Sequence, residues 1–488
     1  MTRYGAPLRF VFNPGRRLES TYLTFPPFLQ KMLGLRRVFQ PAAFYGLGTI
    51  STARYQSGGA TTTGKKNIVL IEGVRTPFLT AGSDYANLEQ YDIGRMALQG
   101  LLQRTQIPKE EVDYIVFGNV IQEAKSANIA REVARGAGFS DFTPAHTVSM
   151  ACISAHQAIT SGMGLLATGQ ADVIIAGGVD FASDVPIKVS RGLRKTLLKL
   201  NRAKTLPARL GLLLSGIRNL GLELPSISEF STGETMGHSG DRLAAAFAIS
   251  RKEQDEYGVR SHNFAHEASE KGLLSDRLDV IVPGKAGYVS KDNGVRKSTV
   301  AQVSKLKPAF VKPHGSITPA NASYLTDGAT AALIMTEDKA KALGFKPKAY
   351  LREFVYVSQD PKDQLLLGPA YATPKVLQRA KLSLSDIDVF EYHEAFAGQI
   401  LANLKAMDSD WFAKNYMGLK EKVGSLPMEK FNLWGGSLSI GHPFGATGCR
   451  LVTTAANRLE KEDGKFALVA ACAAGGQGHA CIVERYPK

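Results

Sequence analysis

The sequence predicts an α/β protein made of two related halves with an inserted domain between them. Short apolar segments typical of buried strands alternate with longer segments that have helical spacing, which is the pattern of layered α/β folds. Residues 112–117 and 171–178 recur in modified form at 384–390 and 465–470. A repeat separated by this distance is too long for a solenoid and indicates a duplicated α/β unit.

The elements can be placed in order after residue 66. Apolar segments predict strands at 68–71, 114–117, 173–176, 350–357, 389–392 and 466–470. Helical spacing predicts helices that include 88–104, 153–167 and 447–459. We therefore assign 67–180 to the first half, 181–345 to an inserted loop domain, and 346–488 to the second half.

Composition limits the protein class. The 488 residues are 44% hydrophobic and 21% charged, which excludes extensive disorder. Four cysteines without CxxC spacing predict neither a disulfide scaffold nor a zinc site, so we expect no metal. No apolar run reaches the length of a transmembrane helix.

The formal net charge of +15 is concentrated in two segments. Residues 1–66 contain ten basic residues and one acidic residue, together with a Ser/Thr-rich end. This Arg-rich, acid-poor composition is typical of a mitochondrial transit peptide, although a disordered basic tail has the same signature.

The second basic segment, 185–222, has nine basic residues and no acidic ones. Its leucines fall at helical spacing, so a pair of basic amphipathic helices is predicted. Such helices suit an anionic membrane surface or an acidic partner, or their apolar stripe packs on their own domain. Nucleic acid is disfavoured because the segment has no aromatic residue for stacking and no binding motif. Outside the two segments the chain is slightly acidic.

Two segments supply the residue types of a nucleophilic thiol and its general base. Cys152 opens a helical run, where the helix dipole favours the thiolate, although isolated cysteines are often inert core residues. His442 lies on a Gly/Pro-rich loop before a helix, and a base that approaches a thiol needs such rigid placement. Taken alone, this loop is also compatible with a phosphate-binding turn.

Two further candidate residues, Cys472 and His393, follow the ends of predicted strands. Cys472 precedes a run of glycines whose N–H groups are suited to binding an oxyanion, or the run is a simple turn beside an inert thiol. His393 follows the strand at 389–392 and is uninformative by itself. The remaining cysteines, Cys449 and Cys481, are interpreted as packing residues.

Taken together, the segments around Cys152, His442 and Cys472 resemble the thiolase family over about residues 67–485, and 315–329 resembles its coenzyme A-proximal segment. The resemblance implies an acyltransferase with the thiolase fold that cleaves a 3-ketoacyl-CoA with free CoA. The products are acetyl-CoA and a shortened acyl-CoA. CoA would be a co-substrate, with no permanently bound cofactor, and the core would be a thiolase-type dimer.

The resemblance also implies a role for each residue. Cys152 would be the nucleophile that becomes acylated, and His442 would take its proton and polarise the thioester oxygen. Cys472 would protonate the departing acetyl-CoA enolate and then deprotonate the incoming CoA. The backbone N–H groups of Cys152 and Ala474 would form an oxyanion hole. Ser323 and Met236 would line the CoA and acyl channel.

Two positions depart from the common family pattern, which has Asn at the position of His393 and Gly at that of Ala474. These departures and the basic insert resemble a mitochondrial long-chain branch of the family. That branch acts in fatty-acid β-oxidation, is peripherally bound to the matrix face of the inner membrane, and is paired with a hydratase/dehydrogenase α subunit. Anionic inner-membrane lipid would then contact 185–222.

Other functions remain open at this point. An acetoacetyl-CoA thiolase of short-chain or biosynthetic metabolism would use the same residues. A ketoacyl synthase would have a histidine where this chain has Cys472. A non-catalytic membrane-tethering subunit would not need an intact cysteine–histidine set.

Overall fold

The computed structural model describes residues 66–225 and 228–488. The predicted leader, 1–66, therefore lies outside the described residues apart from Lys66. Among the residues that are described, no helix is long and apolar enough to cross a membrane.

The described chain alternates strands and helices. The strands are β1 (Ile68–Arg75), β2 (Leu79–Thr80), β3 (Tyr114–Gly118), β4 (Ala145–Val148), β5 (Val173–Asp180), β6 (Lys188–Val189), β7 (Leu222–Glu223), β8 (Val280–Ile281), β9 (Tyr288–Val289), β10 (Thr326–Thr336), β11 (Ala349–Ser358), β12 (Val389–Tyr392), β13 (Phe466–Ala473) and β14 (Gln477–Arg485). The α-helices are α1 (Gln90–Thr105), α2 (Ile129–Gly136), α3 (Ser154–Ala167), α4 (Arg191–Arg202), α5 (Leu206–Ile217), α6 (Met236–Ala246), α7 (Arg251–Glu270), α8 (Val300–Val303), α9 (Glu337–Ala342), α10 (Gly368–Ala380), α11 (Ala397–Met407), α12 (Asp410–Phe412) and α13 (Thr447–Lys461). Each predicted strand and helix overlaps one of these elements.

The predicted duplication is visible in the order of the strands. The first half has the order β4-β3-β5-β10-β1, and the second has β12-β13-β14-β11. In each half a parallel pair, β3–β5 or β12–β13, is followed by an antiparallel strand, β10 or β14. The halves join through a short antiparallel pairing of β1 with β11. The prediction of an α/β fold with two related halves is therefore confirmed.

The inserted segment lies between two strands that are neighbours in the sheet. The predicted insert, 181–345, includes β10, but this strand pairs with β5 and β1 along its length. In the second half the equivalent strands, β13 and β14, are joined by a turn at 474–476. The insert thus replaces that turn, and the segment that leaves the sheet ends near residue 325.

Helices cover both faces of the sheet. Helices α3 and α13 contact each other and share an apolar cluster with strands of both halves. On the opposite face, α1 and α2 pack on the first half, whereas α10 and α11 pack on the second. The core consequently brings α3 and α13, the helices that follow Cys152 and His442, into contact at the centre of the molecule.

A buried ion cluster ties the sheet to the insert. Arg75, at the end of β1, donates two hydrogen bonds to Asp292 (2.6 and 2.9 Å) and one to Asp276 (3.0 Å). All three residues are buried. A buried pair of this kind is costly to break because the remaining charge cannot return to water.

Replacement of this arginine tests the importance of the cluster. Arg75→Met removes the hydrogen-bonded cation of Asp276 and leaves Asp292 paired with Arg277 (3.3 Å), so we expect the free energy of unfolding to fall by about 3–5 kcal/mol. Denaturant titration followed by circular dichroism measures the loss. The matched control is Arg135→Met, since Arg135 forms an exposed ion pair with Asp141 and should contribute at most about 1 kcal/mol. Equal effects of the two variants would contradict the role assigned to the cluster.

Candidate active site

Cys152 lies on a strained turn immediately before α3. The preceding residue, Ala151, has a positive φ of 47°, a conformation that costs a non-glycine residue of order 1 kcal/mol. The side chain of Ser154 fixes this turn, because its Oγ accepts the N–H of Met150 (2.7 Å) and donates to the carbonyl of Ala151 (2.7 Å). The thiol is therefore presented at the end of the sheet by a rigid backbone.

His442 is held by a loop that packs directly on the first half. Its loop begins at Gly441, where φ is 113°, and continues to Gly445. The carbonyl group of Gly445 packs against the backbone of Gly178 in β5. A Cβ atom on Gly178 would lie only 1.9 Å from the carbonyl oxygen of Gly445. A side chain at Gly178 would push this loop, and the imidazole with it, away from the thiol.

The Asp180 carboxylate bridges the two halves at this point. It accepts hydrogen bonds from the Asn119 side chain (3.0 Å), from the N–H groups of Val120 (3.1 Å) and Ile121 (2.7 Å), and from the N–H of Gly445. Burial raises the pKa of Asp180 to about 7, against the opposing effect of these N–H groups. The carboxylate thus anchors the His442 loop to the strand ends of the other half.

Four predicted residues meet at this junction. The sulfur of Cys152 and one ring nitrogen each of His393 and His442 lie within 4.8 Å of one another. The two imidazole rings are 4.0 Å apart between centroids. Cys472, near the end of β13, is close enough to Cys152 for the two thiols to influence each other's charge. Cys152, His393 and His442 also offer the donor types that Zn²⁺ accepts, and they are the residues of this site able to hold a metal.

His442 is poised as a base. Its Nδ1 is 2.7 Å from the hydroxyl of Thr447, which itself donates to the carbonyl of Pro443 (3.0 Å). A hydroxyl has one proton, so the Thr447 oxygen accepts a hydrogen bond from Nδ1–H and the lone pair of the neutral ring is on Nε2. Burial, assisted by the charge of Arg450, lowers the pKa of His442 to about 3. Nε2 has no hydrogen-bond partner among the described residues and is available to a thiol proton.

Both active-site thiols are protonated at rest. Burial raises the pKa of Cys152 to about 12, although the N–H of Ala474 and the residue's own N–H oppose this shift. Burial and the neighbouring Cys152 also raise the pKa of Cys472 above its usual range. The thiolate expected from the helix dipole is therefore not the resting form, because burial outweighs the backbone dipoles. Cys152 needs a base to become a nucleophile.

Ser323 precedes β10, and Met236 lies at the start of α6. The N–H of Ser323 donates to the carbonyl of Ala395 (2.9 Å), two residues beyond His393. Met236 begins α6 and packs, half-buried, on the core of the second half. Their predicted contacts with CoA and the acyl chain remain predictions.

Some residues of the site were not foreseen from the sequence. Glu229, in the insert, accepts a hydrogen bond from the N–H of Gly475 (3.0 Å), and its charge contributes to the raised pKa of Cys152. Asp180 and Thr447 were also missed. Thr447 lies in the loop motif already singled out and contacts His442 within it. Asp180 lies four residues beyond the predicted strand 173–176, and the sequence contains no signal for the distant N–H groups that it binds.

Alkylation of Cys152 tests its protonation state. With a pKa near 12, the thiolate fraction rises with pH, so we expect the rate of iodoacetamide labelling to increase about tenfold per pH unit, without a plateau below about pH 9. Mass spectrometry of the labelled peptide gives the rate, and Cys152→Ser identifies the site. A rate that levels off below about pH 8 would indicate a stabilised thiolate instead.

Comparisons with known proteins agree with this geometry. Models of the thiolase N-terminal and C-terminal domains match residues 68–338 and 345–485. The chain is 67% identical over 424 residues to the mouse protein named "Trifunctional enzyme subunit beta, mitochondrial", a match that covers 87% of this chain and 89% of the mouse protein.

Two solved structures are also similar. The acetyl-CoA acetyltransferase of Bacillus anthracis has a TM-score of 0.75 and 31% identity, over 87% of this chain and all of that one. Human mitochondrial 3-ketoacyl-CoA thiolase in complex with CoA has a TM-score of 0.75 and 29% identity, over 86% of this chain and 98% of that one. Both thiolase domain models match in order, and the mouse protein is 67% identical over 87% of this chain. The chain therefore belongs to the thiolase family.

Proposed function

We propose that this enzyme is a 3-ketoacyl-CoA thiolase, an acetyl-CoA C-acyltransferase that performs the thiolytic step of mitochondrial long-chain fatty-acid β-oxidation. The meeting of the Cys152 thiol with the unprotonated Nε2 of His442, beside a second thiol at Cys472, carries this proposal. The 67% identity to a mitochondrial trifunctional enzyme β subunit supports the long-chain assignment. CoA is the co-substrate, as the CoA complex of the related human thiolase supports.

The first half-reaction forms an acyl-enzyme. Nε2 of His442 takes the Cys152 proton while the sulfur attacks the 3-keto carbon. The bond between C2 and C3 then breaks, the acyl group remains on the sulfur, and the electron pair leaves with the acetyl-CoA enolate. Cys472 gives its proton to C2 of that enolate, which releases acetyl-CoA and leaves a thiolate at Cys472.

The second half-reaction restores the enzyme. The Cys472 thiolate takes the proton of the incoming CoA thiol, and the CoA sulfur attacks the acyl carbon on Cys152. The Cys152 sulfur leaves and recovers its proton from His442. The N–H groups of Ala474 and Cys152 adjoin the reacting sulfur, where oxygen becomes negative during both attacks. His393 adjoins His442 and serves the thioester oxygen of the enolate.

Substrate access comes from the inserted domain. Ser323 and Met236 line the CoA and acyl channel in this proposal, and the hydrogen bond from Gly475 to Glu229 of the insert supports a channel bordered by the inserted domain. The proposed structural parts are 67–180, 181–345 and 346–488, and the middle part leaves the sheet up to about residue 325 and then returns to the first half as β10.

The names of the relatives support a partner and a location for this chain. The printed name "subunit beta" supports association with an α subunit that carries the hydratase/dehydrogenase activities, around a thiolase-type dimer. The word "mitochondrial" in that name, together with the basic segment 1–66, supports a cleaved transit peptide and a peripheral location on the matrix face of the inner membrane.

The α4–α5 hairpin is the surface that we assign to anionic lipid. Its apolar residues are largely outside the core, since Leu206 is 70%, Leu214 68% and Ile217 63% exposed. Thr196 and Gly216 are the buried residues of these two helices. The hairpin belongs to the segment 185–222, which has nine basic side chains. An apolar face among so many basic residues fits the interfacial region of an anionic bilayer better than packing on its own domain.

Thiolysis assays test the function. The chain with its α subunit should cleave 3-ketohexadecanoyl-CoA faster than acetoacetyl-CoA, and Cys152→Ser should lower kcat for both by about 10³-fold or more, because a serine hydroxyl does not replace the thiol nucleophile. The rate is measured as acetyl-CoA released. Cys481→Ser is the matched control, because Cys481 lies on β14 outside the junction and its variant should retain activity.

Each result of this assay has a distinct meaning. Activity retained by Cys152→Ser would overturn the assigned nucleophile. A preference for acetoacetyl-CoA would favour the short-chain thiolase. No activity of the wild-type complex on any 3-ketoacyl-CoA would favour a tethering subunit.

Charge reversal on the α4–α5 hairpin tests the lipid surface. At about 1 kcal/mol per basic residue, the triple variant Lys195→Glu, Lys199→Glu, Arg202→Glu should bind cardiolipin-containing vesicles about 10²-fold more weakly or worse. Vesicle sedimentation measures the affinity. The matched control reverses three exposed lysines elsewhere, Lys305, Lys414 and Lys420, with the same change in net charge. Equal losses of vesicle affinity in both variants, or unchanged vesicle binding by the hairpin variant, would contradict a lipid-binding hairpin. If the hairpin variant still binds vesicles but no longer binds the α subunit, the surface belongs to that partner.

A further inference from the structure

His393 stands at one end of a buried polar chain that leads away from the reacting thiol. Its Nδ1 is 2.9 Å from the hydroxyl oxygen of Ser437, which is 3.0 Å from Nη2 of Arg450. Nη1 of Arg450 lies 3.8 Å from a carboxylate oxygen of Glu391. These four residues are at most 1% exposed, so the polar groups must find their partners within the protein.

The direction of the hydrogen bonds in this chain follows from counting protons. A guanidinium group only donates, so the Ser437 oxygen accepts from Arg450. Ser437 has a single hydroxyl proton, and His393 Nδ1 is the other polar contact of that hydroxyl among the described residues. The hydroxyl therefore donates to Nδ1. A neutral imidazole has one N–H group, which must then be on Nε2.

Both imidazoles of the site are neutral at rest. Burial is the main cause that lowers the pKa of His393 well below its usual range, and the neighbouring His442 and Arg450 add to it. Nε2 of His393, like Nε2 of His442, is buried without a hydrogen-bond partner among the described residues. The two adjacent rings, tilted by 38°, therefore offer different groups to the reacting centre: a lone pair on His442 and an N–H group on His393.

We propose that Ser437 and Arg450 are positioning residues that fix His393 in the Nε2–H tautomer, so that it donates a hydrogen bond to the substrate. Arg450 orients the serine hydroxyl, and the hydroxyl occupies Nδ1 of the imidazole. The ring is then a donor toward the thioester oxygen, where charge develops as the enolate forms. This inference rests on the thiolase chemistry proposed above.

Removal of the serine hydroxyl has a defined consequence. In Ser437→Ala, Nδ1 of His393 loses its donor and the ring can place its proton on either nitrogen. A ring protonated on Nδ1 directs a lone pair at the thioester oxygen and repels the developing charge. The ground state is affected less, because the ketoacyl-CoA carbonyl has little charge before attack.

Steady-state kinetics on the complete complex test the proposal. We expect Ser437→Ala to lower kcat about 10- to 100-fold, with KM for ketoacyl-CoA and for CoA changed less than about threefold. Ser437→Thr restores a hydroxyl and should recover most of the lost kcat. A kcat of Ser437→Ala within about twofold of the wild-type value, or a loss that the threonine does not rescue, would overturn the proposal.

Ser439→Ala is the matched control for loss of a buried serine. Ser439 lies two residues further along the same loop and is equally buried, but its hydroxyl contacts Ser261 and Gly436 rather than an imidazole. It should lower the thermal midpoint as much as Ser437→Ala does while leaving kcat near the wild-type value. Equal losses of kcat in the two variants would reduce the role of Ser437 to one of stability.

Neutron diffraction of the wild-type protein gives an answer that does not depend on folding of a variant or on turnover. Deuterium density is expected on Nε2 of His393 and on the Ser437 hydroxyl pointing at Nδ1. Density on Nδ1 of His393 would overturn the tautomer assignment even if thiolysis is confirmed. Absence of thiolysis in a protein with the expected density would instead overturn the proposed function.

Discussion

The carboxylate of Asp180 is the contact on which the geometry of the active site depends. It ends β5 in the first half and binds N–H groups from that half together with the N–H of Gly445 in the second. Gly445 is three residues from His442, while Cys152 belongs to the first half. The distance between base and nucleophile is therefore set by one buried carboxylate and by the bare backbone at Gly178, which admits the loop.

Burial determines the chemistry of the groups that meet there. It holds the thiols of Cys152 and Cys472 protonated and keeps the imidazoles of His393 and His442 neutral. A neutral site suits a reaction in which charge appears on substrate oxygen, because fixed N–H groups then act in a medium of low polarity. Hydrogen bonds to hydroxyl groups, rather than formal charges, decide which ring nitrogen has the proton.

The two halves differ in the connection between two equivalent pairs of strands, β5–β10 and β13–β14. In the second half, β13 and β14 are connected by a turn that carries Ala474 and Gly475, and in the first half the equivalent connection has become the insert. The insert returns to the site through Glu229 and extends to the exposed α4–α5 hairpin. One expanded connection thus contains both a residue that contacts the 474–476 turn and the surface that we assign to lipid.

The sequence by itself determined the fold class and the duplication, because periodicity is a local signal, and the resemblance to the thiolase family predicted the roles of Cys152, His442 and Cys472. It assigned 326–336 to the insert and predicted no strand there, since an all-buried strand has no polar alternation to mark it and its partner β5 is distant along the chain. Only the tertiary structure decided the protonation of Cys152 and the tautomer of His393. Both depend on desolvation and on hydrogen-bond partners that the chain supplies from remote segments, and no local pattern records those.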